Sequence, residues 1–163
     1  MKKEHIGFDL LVFDSENELS DQEKKLMVEA RKARKNAYAP YSNFQVGAAV
    51  LLENNEIVIG NNQENASYPS GLCAERVAVF QAGAKYPGVA ITLVAISAAS
   101  NTYTVMRPAA PCGNCRQSIA EYEQKQKSPI VLLFQGEKGP IYRCSSVADI
   151  LPLGFDNSFL GDS

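Results

Sequence analysis

Val46-Gly47-Ala48-Ala49-Val50-Leu51-Leu52, then Glu53-Asn54-Asn55-Glu56, then Ile57-Val58-Ile59-Gly60, is the stretch on which the fold turns. An unbroken apolar run of this length suits a strand buried in a sheet. Asn54-Asn55 supplies a hairpin turn, and Ile57 to Gly60 reads as the return strand. The chain therefore holds an antiparallel pair at its centre.

Upstream of the hairpin, Ser20-Asp21-Gln22-Glu23 is a capping box that opens a helix. Leu26, Ala30, Ala33 and Ala37 continue it at helical spacing. Pro40 is its expected stop, with a turn over Tyr38 to Ser42. Downstream lies a polar loop over residues 61–71. A helix opens at Cys73 and runs through Val77, Val79 and Phe80 to about residue 84. A β-branched strand follows over Ile91 to Ala98. The next helix spans Cys112 to about residue 125. Ile130 to Phe134 and Ile141 to Cys144 are strands separated by a turn over Gly136 to Gly139. Ser146 to Leu151 is a short helix closed by Pro152. Helices alternating with strands imply an α/β fold with helices packed on a sheet. The hairpin makes that sheet mixed, and five strands are counted. Residues 20–163 form the expected domain and residues 1–19 an arm. Within the arm Ile6, Phe8, Leu10 and Val12 alternate, as a short edge strand would.

The 163 residues are 45% hydrophobic and 21% charged, ordinary for a globular chain, with a net charge of −2. That balance argues against a nucleic-acid binder, which carries a basic excess or stripe. The densest basic stretch, Arg31-Lys32-Ala33-Arg34-Lys35, falls on the first helix and reads as a solvated face. The apolar run Ile6 to Phe13 is short and broken by Asp9, so it fits neither a secretory signal nor a membrane span. The expected compartment is the cytoplasm. Four cysteines there are ligands, catalysts or core residues rather than disulfides.

Three of those cysteines sit in two segments, Cys73-Ala74-Glu75-Arg76 and Pro111-Cys112-Gly113-Asn114-Cys115-Arg116-Gln117. Cys112 and Cys115 share a helix face at a spacing of three. Cys73 opens another helix, and helix N-termini favour thiolate. Three thiolates leave one position of a tetrahedral Zn²⁺ open. Their surplus negative charge calls for donors to the sulfurs, and Arg76 is the first candidate, with Gln117 and Arg116 behind it. An exposed arginine is the plainer reading of Arg76. Glu75 has two readings: an acid/base group facing the metal, or a first-turn carboxylate placed for the helix dipole. Cys-Gly-Asn-Cys alone also fits a redox dithiol, although Cys-x-Glu upstream then has no part. Cys144 sits in an apolar strand and reads as a small core residue. His5 reads as an exposed terminal residue.

The two cysteine segments match the Cys-x-Glu…Pro-Cys-x-x-Cys form of the zinc nucleobase deaminase signature. With Tyr41 to Ala49, Asn62 to Tyr68 and Leu151 to Phe155 falling in order, residues 22–155 resemble the cytidine deaminases of the small, homotetrameric, all-cysteine zinc type. The resemblance implies a three-layer α-β-α fold, Zn²⁺ on Cys73, Cys112 and Cys115, and a nucleoside as substrate. It implies that Glu75 protonates N3 of cytosine and carries a proton to the departing ammonia. It implies ribose contacts from Asn62 and Glu64, packing of Phe44 on the pyrimidine ring and reading of the base edge by backbone near Ala66. Phe155 would close the pocket, across a subunit boundary in this family. By composition alone, Phe44 and Phe155 read as core residues. The implied assembly is a homotetramer, with a dimer as the smaller alternative, and no membrane or nucleic-acid partner. The arm is longer than compact relatives carry, and residues 101–110 diverge from them. Rival readings are a deaminase of another nucleoside such as blasticidin S, a polynucleotide editor, and a non-catalytic zinc module.

Overall fold

A computed structural model describes residues 1–161. The first helix, α1, spans Asp21–Arg34 and starts where the capping box places it. Ser20 Oγ accepts from the Glu23 amide at 3.3 Å, and Glu23 Oε2 accepts from the Ser20 amide at 2.9 Å. It ends well before Pro40. Tyr38 instead joins the 61–64 segment: its amide donates to the Asn62 carbonyl at 3.0 Å, and its carbonyl accepts from the Glu64 amide at 2.9 Å. Pro40 also disfavours helix at the residue before it.

The central hairpin is β2 (Phe44–Leu52) and β3 (Ile57–Asn61), paired antiparallel. Asn55 adopts φ 65°, a left-handed value that asparagine tolerates in such turns. Helix α2 (Ala74–Lys85) leads to β4 (Ile91–Ser100), and α3 (Gly113–Gln126) leads to β5 (Val131–Gln135) and β6 (Ile141–Cys144). The strands β4 and β5 are parallel, with α3 as the crossover; β2 lies antiparallel to β4 and β6 to β5. The sheet has six strands rather than the expected five. The sixth is β1 (Leu11–Phe13) from the arm, which takes up the free edge of β6 in antiparallel register, Val12 opposite Tyr142. The closing segment Val147–Ile150, read as a short helix, is a 3-10 turn, as are Tyr68–Ser70 and Asn157–Leu160.

The layers follow from the period of two along β2. Ala48, Val50 and Leu52 face α2 and α3, packing with Ala78, Val79 and Ile119; Ala49 and Leu51 face α1, packing with Leu26, Met27 and Ala30. A three-layer α-β-α sandwich results. Two glycines set how α2 lies. A Cβ on Gly60 of β3 would stand 2.5 Å from the Ala78 nitrogen and 2.6 Å from the Ala74 oxygen, so only glycine lets α2 approach the sheet this closely. A Cβ on Gly83 would meet the Tyr122 hydroxyl at 2.4 Å, which brings α2 and α3 side by side. Their N-termini consequently open at one end of the sheet.

Candidate metal centre and cleft

Cys73 is the N-cap residue of α2 and Cys112 the N-cap residue of α3; neither side chain caps its own helix. Both sulfurs are thereby free for other work, in the field of two helix N-termini. Cys115 lies one turn into α3 and is buried. The sulfurs of Cys73, Cys112 and Cys115 all lie within 4.8 Å of one another. Cys73 and Cys112 are 3.8 Å apart and Cys112 and Cys115 3.5 Å apart. Four sulfurs at about 2.3 Å from a tetrahedral zinc would stand about 3.8 Å from each other, so the spacing fits that ion. Among the described residues no other group of three metal-binding side chains gathers in this way.

Arg76 Nη2 lies 3.8 Å from Cys73 Sγ and donates to it, while its buried Nε has no partner. The hydrogen bond from the Cys115 thiol, with Arg76 beside it, pulls Cys73 down to about 5. Hydrogen bonding to the Cys73 thiolate and burial push Cys115 up. Glu75 is 5% exposed. Burial raises its carboxyl to about 7, and the Cys73 thiolate adds to the effect. A cation held by the sulfurs would act in the opposite direction.

Beside these groups lies a cleft of about 580 Å³, within the span of about 300–1,000 Å³ usual for small-molecule sites. Cys73, Glu75, Arg76 and Cys112 line it, as do Phe44, Val46, Asn62 and Glu64. The fold thus brings Phe44, Asn62 and Glu64 together with the thiols. Asn62 ties the strand carrying Phe44 to itself: its Oδ1 accepts from the Val46 amide at 2.8 Å, and its Nδ2 donates to the Phe44 carbonyl at 2.9 Å. Glu64 accepts from the amides of Tyr41 at 2.9 Å and Ser42 at 3.2 Å and from the Ser42 hydroxyl.

Three expected residues lie elsewhere. Ala66 is exposed and outside the cleft lining. Phe155 is also outside it, stacked on Phe159 with ring centroids 5.4 Å apart. Gln117 Nε2 donates to the Phe155 carbonyl at 2.9 Å instead of to a thiolate. Two residues past Cys115, it points about 200° round the helix from that sulfur. The reading of single residues overlooked Tyr41, Tyr68 and Leu72 as cleft walls. Tyr41 and Tyr68 lay inside the quoted motifs, and two exposed tyrosines in polar loops are a usable signal of a binding surface.

Fold and site together define a zinc-binding α/β domain with three thiols positioned for a metal ion and a carboxylate buried near them. The sequence model of the cytidine and deoxycytidylate deaminase zinc-binding region matches residues 20–130, and the chain belongs to that family. A cytidine deaminase from Halalkalibacterium halodurans is 39% identical over 137 residues, 84% of this chain and 96% of the relative. One from Sporosarcina psychrophila is 41% identical over 137 residues, 84% of this chain and 93% of the relative. The crystal structure of cytidine deaminase from Burkholderia pseudomallei superposes with a TM-score of 0.70 at 38% identity, covering 80% of this chain and 97% of that one.

Proposed function

We propose that this chain catalyses the zinc-dependent hydrolytic deamination of cytidine and deoxycytidine to uridine and deoxyuridine, releasing ammonia. The observation that carries the reading is the gathering of three sulfurs within 4.8 Å, two of them, those of Cys73 and Cys112, lining the cleft together with Glu75. Cys73, Cys112 and Cys115 would hold the ion. Bound zinc supplies Lewis acidity that makes water nucleophilic at neutral pH. Glu75 takes the first proton of the attacking water and delivers it to N3 of the base, then takes the second from the new C4 hydroxyl and passes it to the amino group, which leaves C4 as ammonia. Its burial raises its proton affinity, and a cation held by the sulfurs would offset part of that rise. Arg76 draws negative charge from the Cys73 sulfur.

Phe44 supplies an apolar wall for the pyrimidine, and Asn62 and Glu64 present remaining hydrogen-bonding capacity to the ribose. Arg76 is the one cation among the cleft residues, and it is already bonded to Cys73. With that side chain engaged by a thiol, no further cation among the described cleft residues is offered to a phosphate, which favours a nucleoside over a nucleotide. Ala66 and Phe155 reach a bound substrate only if the 65–71 loop and the closing segment move, or if a neighbouring subunit presents them. A cytoplasmic homotetramer acting in pyrimidine salvage is the setting proposed for this activity. Among the described residues no helix is long and apolar enough to cross a membrane.

The test is the loss of ultraviolet absorbance as zinc-loaded protein consumes cytidine, deoxycytidine, deoxycytidylate and a single-stranded oligonucleotide in parallel. The two nucleosides should be turned over while the nucleotide and oligonucleotide are poor substrates. Folded protein holding one zinc per chain and inert towards both nucleosides would sink the proposal.

A further inference from the structure

We propose that Arg116 and Gln117 are positioning residues that make the seating of the closing segment, residues 150–155, depend on metal occupancy at Cys112 and Cys115. The inference rests on the zinc site just described and deepens it. Arg116 directly follows Cys115, and its guanidinium bridges two parts of the chain. Its Nε donates to the Pro111 carbonyl at 2.8 Å, back across the turn that carries both cysteines, and its Nη1 donates to the Ile150 carbonyl at 2.8 Å. Gln117 takes the next hold, donating to the Phe155 carbonyl at 2.9 Å. Among the described residues Arg116 makes no ion pair. Asp149, the carboxylate just before that segment, already accepts from the amides of Ser145 and Ser146 at 2.9 and 3.1 Å.

The bridge works only while the first turn of α3 is formed, because one arm of the guanidinium is fixed by a carbonyl on the far side of that turn. Ligation of Cys112 and Cys115 to one ion locks the turn. Without a cation Cys112 and Cys115 are joined across that turn only by a sulfur–sulfur contact of 3.5 Å, and the turn is held less firmly. Farther along α3 the tie no longer depends on the metal. Glu123 accepts from the Ser146 hydroxyl at 2.6 Å and the Val147 amide at 3.1 Å, so the chain leading into the segment stays moored when the segment is released. Occupancy of the metal site is therefore reported at the segment carrying Phe155, and by reciprocity the seated segment slows loss of the metal.

Hydrogen exchange of full-length protein, zinc-loaded and chelated, tests this with Arg116→Ala beside the wild type. In the wild type, chelation should speed exchange of the Leu151 and Gly154 amides about 5- to 100-fold, with α1 unchanged as the internal standard. Loaded Arg116→Ala should already exchange at the chelated wild-type rate, respond no further to chelation, and lose zinc to a chelator faster. If circular dichroism shows that variant to be misfolded, Gln117→Ala serves: its metal response should shrink at residues 151–155 and persist in none of the α1 amides. A segment indifferent to chelation in the wild type, a variant that responds as the wild type does, or α1 opening together with the segment would each overturn the coupling. Wild type that takes up zinc and deaminates cytidine yet shows no response refutes the coupling alone. Wild type that takes up no zinc refutes both readings.

Discussion

Glu64 accepts three hydrogen bonds from a single turn, the amides of Tyr41 and Ser42 and the Ser42 hydroxyl. Burial alone would raise its pKa, but these donors outweigh it and hold the carboxyl below its ordinary range. The carboxylate thus fixes one rim of the cleft and keeps acceptor capacity for a sugar hydroxyl. Glu64→Ala should lower kcat/KM for cytidine about 10- to 100-fold, the loss of a charged hydrogen bond. Steady-state kinetics that leave kcat/KM unchanged would remove Glu64 from the site. At this scale the thiol cluster was legible because Cys-x-Glu and Cys-x-x-Cys are local patterns that helix N-termini convert into geometry. Gln117 was not, since its partner is a carbonyl 38 residues away. Ala66 and Phe155 sit on loops whose final placement no short-range pattern encodes.

Helix α1 is joined to the sheet through Glu23, which both closes the capping box and accepts from Arg143 Nε of β6 at 3.0 Å. Burial raises the Glu23 carboxyl, but the Ser20 hydrogen bonds and Arg143 more than offset it and its net pKa is lowered. A carboxylate depressed in the folded state stabilises above its unfolded pKa, and that contribution fades as pH falls through the folded value. Denaturation midpoints followed from pH 7 to 3 should show Glu23→Gln less stable at neutrality and converging on the wild type in acid. Parallel curves would contradict the assignment. Gly60 governs the other face. Gly60→Ala should push α2 off the sheet, costing about 1–3 kcal/mol by denaturant unfolding and weakening zinc retention, because Cys73 moves with the helix. Wild-type stability with unaltered zinc content would show that the contact is slack. Most elements were readable from periodicity and caps. The end of α1 was not, because a backbone pairing of Tyr38 with the 62–64 segment overrides helical propensity there.

The whole molecule is a sheet with two cores, and the metal site stands where α2 and α3 open at one end. An ion held by the three thiols would join elements 39 residues apart, Cys73 to Cys112. Chelation should lower the thermal midpoint by about 10 °C, equivalent to roughly 3 kcal/mol for a domain of this size, and added zinc should restore it. Identical midpoints would mean that the site contributes nothing to folding. The sixth strand was half legible: the alternation over Ile6 to Val12 marked an extended arm, but only residues 11–13 pair with β6. Alternation gives a strand its faces but does not specify how far an edge will accept it.

The most direct measurement is cytidine turnover by Glu75→Gln, with metal content determined on the same sample. The variant should keep one zinc per chain and lose turnover by at least about 100-fold, the lower range for general acid–base catalysis. A zinc-loaded variant that deaminates cytidine at the wild-type rate would contradict the account, since the buried carboxylate beside the thiols would then have no part in moving protons.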